Sequence, residues 1–270
     1  MSGSVLAVFA HPDDESLLAG GVLAAFAASG RRVAIVSMTR GERGPTELPG
    51  LAAGPALGDL REAELLRAAR ALGASAAECL DYPDGDLAGV DESQAARALS
   101  RLLVRERPEL VVSFSDEGLY WHPDHLAVSR VLNAALALLG RGGAPAWLYG
   151  ATWPQGHARR LVSLMRARGL AADLWGLEPD AFGAAADSIT TLLDVRPFLP
   201  AKLAALRAYA SQIGPSHLLS VLPDDLAEEF LGREFFVRIK PGDSQRDWLA
   251  EAFPNRAHAP GHSPLCNRPR

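Results

Sequence analysis

Two short runs of the chain concentrate residues that can bind a metal or move a proton. Residues 10–15 read Ala-His-Pro-Asp-Asp-Glu, and residues 121–125 read Trp-His-Pro-Asp-His. Imidazole and carboxylate are ligands that zinc accepts, and a catalytic zinc keeps three protein ligands and a water. A histidine and an aspartate three apart on a tight loop, such as His11 and Asp14, can reach one ion. His122 and His125 stand at i and i+3 of a helix start and share a face. One of them can bind metal while the other stays free for proton transfer. Each run also admits a purely structural reading. Asp13 or Asp14 could accept N–H bonds at a helix start. His-Pro-Asp-His could be a proline at N1 followed by an acidic first turn. Two such runs, each expected where a strand gives way to a helix, point to a shared metal site.

The elements that must carry these runs follow from hydrophobic period. Val5 to Ala10, Arg32 to Thr39, Glu78 to Tyr82, Leu110 to Ser115 and Ala146 to Trp153 read as strands. Leu17 to Ala28, Asp59 to Leu72, Asp91 to Arg107 and Pro123 to Leu139 read as helices, with Asp59 a candidate cap and Gly30, Gly73 and Gly140 as stops. Apolar strands alternating with helices predict a parallel sheet covered on both faces, an α/β fold. In such a sheet the strand C-termini share one edge, where ligands bind. Arg40 to Gly58, rich in Gly and Pro, reads as a long functional loop. Further on, Ile189 to Val195 and Glu234 to Ile239 read as strands, and Pro200 to Tyr209 and Asp224 to Leu231 as helices. One domain over residues 1–253 is expected, with a loosely held tail over 254–270.

Composition narrows the function classes. The chain has 270 residues, 48% hydrophobic and 22% charged, which excludes wholesale disorder. A net charge of −5 argues against nucleic-acid or anionic-membrane partners. Two distant cysteines, Cys79 and Cys266, exclude a disulfide scaffold and suit the cytoplasm. The start of the chain lacks a basic signal-peptide region, and the apolar stretch Leu17 to Ala28 is too short to span a bilayer. His157, His217, His258 and His262 lack partner motifs and read as structural or surface residues. No GxSxG, GxxxxGK[ST], GxGxxG or HExxH occurs, so serine-hydrolase, P-loop and zincin readings lack support.

At its two motifs the chain resembles the PIG-L, or LmbE-like, zinc-dependent deacetylases, which remove acetyl from N-acetylglucosamine groups. Weaker matches are Thr39 to Gly44, Arg61 to Glu64, Asp84 to Leu87 and Ser211-Gln212. The resemblance implies a Rossmann-like, mostly parallel sheet flanked by helices on both faces. It implies one Zn2+ per chain, or another divalent metal, held by His11, Asp14 and His125. It implies Asp13 as general base, His122 as general acid, Asp124 as the carboxylate orienting His122, and Tyr120 as an oxyanion donor. Arg61, Asp84 and Glu42 are implied near the sugar or its substituent. Trp121 replaces the smaller residue of several relatives. The expected substrate is a small-molecule N-acetylglucosamine conjugate, and a homo-oligomer is left open. The loop Arg40 to Gly58, with Arg61 as a fixed bidentate cation, is expected to select the group attached to the sugar. Two rival readings remain. Asp84-Gly85-Asp86 could serve a sugar-nucleotide glycosyltransferase, although a turn fits those residues better. The chain could also be a sugar- or metal-binding protein of this fold without turnover.

Overall fold

The computed structural model describes residues 3–215, 217–240 and 247–254. The chain runs β1 (Ser4–Phe9), α1 (Asp14–Ala28), β2 (Val33–Thr39), α2 (Pro55–Ala71), β3 (Ala76–Tyr82), α3 (Glu92–Glu106), β4 (Pro108–Phe114), a single turn α4 (Gly118–Trp121), α5 (Pro123–Gly143) and β5 (Trp147–Thr152). Then come α6 (His157–Ala167), β6 (Thr191–Asp194), α7 (Leu199–Arg207), α8 (Asp224–Phe230), β7 (Arg233–Lys240) and α9 (Trp248–Ala252). The strands form one sheet in the order β3-β2-β1-β4-β5-β7-β6. The first five are parallel, and β7 and β6 extend the sheet antiparallel. Val5 of β1 pairs with Val33 of β2 on one side and Leu110 of β4 on the other. Val5 to Phe9, all of β2, and Leu110 to Phe114 are buried, which is why these strands read as continuous apolar runs.

The order explains where a site can form. The chain steps outward from β1 to β2 and β3, then returns to the other side of β1 for β4. The C-terminal ends of β1 and β4 therefore flank a topological switch point, where a crevice opens. The two motif runs begin just beyond those two ends.

Several boundaries differ from the expectation. Helix α2 begins at Pro55, at N1, with Gly54 (φ 140°) at the N-cap; Asp59 does not cap but pairs with Arg40 at 2.8 Å. The long loop thus ends four residues early. The stop expected at Gly140 is a break with φ 61° inside α5. Helix α6 was not anticipated, although Ala158, Leu161, Val162 and Met165 are buried at helical spacing. In α1 the pair Gly20-Gly21 is a close approach: a Cβ on Gly21 would lie 2.4 Å from Val195 Cβ, and one on Gly20 would lie 3.1 Å from Lys202 Cγ. Among the described residues no helix is long and apolar enough to cross a membrane. Of the expected tail only Pro254 is described; residues 255–270, with His258, His262 and Cys266, lie outside the described residues.

Candidate metal and catalytic site

The turn after β1 is fixed before it reaches the site. Ala10 O accepts from Thr39 N (3.0 Å) and Thr39 Oγ1 (2.9 Å), tying the exit of β1 to the end of β2. Asp13 then adopts φ 115° and ψ −30°, outside the ordinary regions for a side-chain-bearing residue. Such a conformation costs about 1–3 kcal/mol and persists only where its surroundings impose it. Asp13 occupies the N-cap of α1, yet its side chain makes no cap hydrogen bond. Its Oδ2 instead accepts from Arg61 Nη2 at 3.0 Å. The helix-cap reading of this run therefore fails for the Asp13 side chain. Asp14 Oδ2 accepts from the His11 amide (2.8 Å), which closes the loop on itself.

The turn after β4 is organised differently. Gly118 (φ 55°), Leu119 (φ 65°) and Trp121 (φ 63°) take positive φ, with Tyr120 at φ −147° between them, and swing the chain into α5. His122 caps α5, its Nδ1 accepting from the Asp124 amide (3.2 Å), and Pro123 is at N1. The structural reading thus holds for His122 and Pro123, while Asp124 and His125 turn inward, both fully buried. Because Nδ1 accepts, a neutral His122 carries its proton on Nε2.

Hydrogen bonds assign the remaining ring nitrogens. His125 Nδ1 lies 2.9 Å from Gly118 O, so this nitrogen donates and Nε2 keeps its lone pair. His11 Nε2 lies 3.1 Å from Asp84 Oδ1 and 3.2 Å from Asp124 Oδ2, so His11 donates there and its Nδ1 faces the other way. The two remaining nitrogens, His11 Nδ1 and His125 Nε2, meet at 3.3 Å. Asp14 offers Oδ2 at 3.5 Å from the first and Oδ1 at 3.5 Å from the second. Tetrahedral ligands about 2.1 Å from a zinc-sized ion stand about 3.4 Å apart. Two facing lone pairs and a carboxylate at this spacing fit one metal ion. Electrostatics agrees. Against burial, Asp124, Asp14 and Asp84 pull His11 well above its ordinary pKa, so this corner calls for positive charge. Burial opposes ionisation of Asp14, but His125 and His11 hold its carboxyl down at about 2. His122 also brings a ligand nitrogen within 4.8 Å of both other histidines.

Burial pushes Asp13 up to about 7, with Arg61 opposing and Asp14 adding. Burial lowers His122, and His11 adds to that. Burial likewise raises Tyr120, which keeps its phenol protonated; its ring centroid stands 5.2 Å from that of His125.

Two expected roles change, those of Asp124 and Glu42, while Asp84 and Arg61 line the cavity beside the histidines and also brace the site. The Asp124 carboxylate does not reach His122: its Oδ2 takes His11 Nε2 and the Gly85 amide (2.7 Å), and its Oδ1 the Leu87 amide (3.0 Å). At the second position of α5 its side chain turns under the helix toward the β3–α3 connection. Asp84 Oδ1 faces His11 and its Oδ2 accepts the Arg43 amide (2.7 Å), so Asp84-Gly85-Asp86 is a turn that braces the site, with Asp86 exposed. Glu42 accepts the Asp84 amide (3.0 Å), a tie between loops, and lies outside the cavity beside the histidines. Arg61 reaches the cavity wall from the buried face of α2. It is 4% exposed and donates to Gly41 O (2.8 Å), Pro12 O (2.7 Å) and Asp13. Gly41 and Gly44 make room for it: a Cβ at either would fall 2.3 or 2.7 Å from Arg61 Nη1.

A cavity of about 340 Å³ opens over these groups. His11, Asp13, Asp14, Arg61, Asp84, Tyr120 and His122 line it, with Gly44 and Pro45 from the long loop and Gln212 from beyond α7. Trp175 and Leu177 complete the wall and are 40% and 37% exposed. Sequence reasoning missed both, since they lie on an irregular loop without periodicity. It also missed Glu15 and Tyr209, joined at 2.5 Å across 194 positions.

Comparison with known proteins adds an independent finding. A family model described as PIG-L, GlcNAc-PI de-N-acetylase, matches residues 6–136. The 1D-myo-inositol 2-acetamido-2-deoxy-alpha-D-glucopyranoside deacetylase of Thermomonospora curvata is 33% identical, over 87% of this chain and 90% of its own. Among solved structures, the N,N'-diacetylchitobiose deacetylase of Pyrococcus horikoshii is similar at a TM-score of 0.61 and 20% identity, over 89% of this chain and 85% of that one. The 4-carboxy-2-hydroxymuconate hydratase of Pseudomonas putida is similar at 0.61 and 21%, over 91% and 99%. A deacetylase and a hydratase on one architecture show that the fold alone does not choose the chemistry. Sequence identity across nearly the whole chain, with both motif runs inside the matched span, makes this chain a member of the PIG-L family.

Proposed function

We propose that the protein is a zinc-dependent N-deacetylase that hydrolyses the N-acetyl group of an N-acetylglucosamine conjugate, releasing acetate and a free amine. The observation that carries this reading is the convergence of His11 Nδ1, His125 Nε2 and Asp14 at 3.3–3.5 Å, with the Asp13 carboxylate on the adjoining residue. His11, Asp14 and His125 would hold zinc, which when bound polarises the amide carbonyl and acidifies the attacking water. Asp13 accepts the water proton, and a carboxylate near 7 is matched to that task. The water oxygen joins the carbonyl carbon, the C–N bond breaks, and His122 in its imidazolium form delivers the Nε2 proton to the departing nitrogen, leaving a neutral ring. The Tyr120 hydroxyl donates to the oxyanion. Asp84 and Asp124 hold the His11 ring through Nε2. Selection of the group attached to the sugar falls to the wall formed by Gly44, Pro45, Arg61, Trp175 and Leu177, with the Arg61 guanidinium held in place by Gly41 O, Pro12 O and Asp13. Widely spaced cysteines suit a reducing compartment, and we place the reaction in the cytoplasm.

The test is release of acetate and amine from a panel of N-acetylglucosamine conjugates, with zinc and after chelation. One zinc per chain and equal yields of both products are expected, abolished by chelation and restored by zinc. Stoichiometric zinc with no acetate from any conjugate would establish the non-catalytic binding reading instead.

A further inference from the structure

The strained Asp13 backbone is gripped from two sides. On one side Arg61 Nη2 spans Pro12 O and Asp13 Oδ2. On the other, the Asp13 amide donates to Glu15 Oε2 at 3.1 Å. The second oxygen of Glu15 accepts from Ser16 Oγ and from the Tyr209 hydroxyl, each at 2.5 Å. Glu15 is 1% exposed and Tyr209 is fully buried, and neither lines the cavity. Tyr209 follows α7 and opens the segment that continues to Ser211, bonded to Glu64 (2.9 Å), and to Gln212 on the cavity wall. A buried carboxylate filled by three donors from two distant parts of the chain is a rigid strut. Its one contact toward the reaction is the peptide of Asp13.

We infer that Glu15 and Tyr209 are positioning residues for the deacetylation: the Tyr209–Glu15 bond fixes the Asp13 peptide and so aims the Asp13 carboxylate. This rests on Asp13 being the base. Removing the Tyr209 hydroxyl leaves the core filled but frees one end of the strut, and the Asp13 loop relaxes from its imposed φ. A small misplacement of a reacting group costs up to about a hundredfold in rate.

The test uses the zinc-loaded full chain with N-acetylglucosamine as probe. Tyr209→Phe should lower kcat about tenfold to a hundredfold, with KM and zinc stoichiometry unchanged. Glu15→Gln turns an amide donor toward either the Asp13 N–H or the two hydroxyls and should cost at least as much. In an Asp13→Asn background, Tyr209→Phe should change the residual rate by less than about twofold, because the group it aims is already lost. A similar loss in both backgrounds, a loss carried by KM or zinc content, or a normal kcat in Tyr209→Phe would overturn the positioning role. A near-normal kcat in Asp13→Asn alone would overturn the base assignment instead. If Asp13→Asn leaves no measurable rate, the division among kcat, KM and zinc content decides by itself.

Discussion

Buried charge is handled in opposite ways in the parallel part of the sheet and in its antiparallel extension. Around the ends of β1, β3 and β4, Asp14, Asp84 and Asp124 surround His11, Arg61 pairs with Asp13, and two imidazole nitrogens face each other with lone pairs. In the extension, Lys202 Nζ meets Glu234 Oε1 at 2.7 Å with both side chains buried. Glu234 also accepts the Gly21 and Val22 amides of α1, at 2.7 and 2.9 Å. The first cluster gathers carboxylates around a pair of imidazoles and has the donor set of a metal site. The second is balanced internally and joins α1, α7 and β7. A buried cluster with a metal's donor set marks a ligand site, and a balanced one marks structure.

That contrast can be broken by experiment. The largest effect is expected from His125→Ala, which removes a lone pair from the first cluster. Zinc measured by elemental analysis should fall from one per chain toward zero, and turnover with it. Retained stoichiometric zinc would move the ligand assignment elsewhere. Lys202→Met strikes the balanced cluster and leaves a buried carboxylate without its cation. Urea unfolding should show a loss of about 3–5 kcal/mol, with kcat per folded molecule unchanged. An effect on kcat rather than stability would erase the distinction between the two regions. Asp124→Asn keeps a group of the same shape behind His11 but weakens its hold on Nε2. Zinc affinity by competition with a chelator should drop about tenfold to a hundredfold, the usual worth of such an outer partner.

The smallest effect concerns His157, in the extension, whose Nε2 lies 3.2 Å from Phe230 O and whose ring packs edge-on to Phe230 and Phe235. Burial pushes this histidine down to about 4, whereas in the unfolded chain it titrates near 6.5. The unfolded state therefore binds the proton first as pH falls. Stability from this group is intact above about pH 6.5 and is lost progressively toward pH 4. Between pH 7 and 5 the loss should be about 2 kcal/mol, and His157→Gln should flatten the unfolding free energy by that amount over the same interval. An unchanged slope in the variant would assign the pH sensitivity to other groups.

The contrast also accounts for what could be read early. Residues adjacent in the chain were legible. His11 to Asp14 and His122 to His125 sit at strand-to-helix junctions because strand and helix periods are local, and the parallel sheet followed from the same periods. The inward placement of Arg61 and Glu64 was also encoded, since both share the buried stripe of α2 with Leu57, Leu65 and Ala68 at helical spacing. The partner of Asp124 was not legible. Its neighbour in sequence is His122, but its hydrogen bonds go to His11, Gly85 and Leu87. Those residues reach it only because β1 pairs with β4 and the chain after β3 folds across the same edge.

By itself, then, the sequence determined the element types, the shared edge, and the residue kinds that could hold a metal, all of which depend on spacings of a few residues. Tertiary structure alone decided which nitrogen of each histidine keeps its lone pair, which carboxylate braces which ring, and that Tyr209 reaches Glu15. Those outcomes depend on strand order and on side chains brought together from positions up to 194 residues apart, and no local pattern encodes the direction in which such a side chain points.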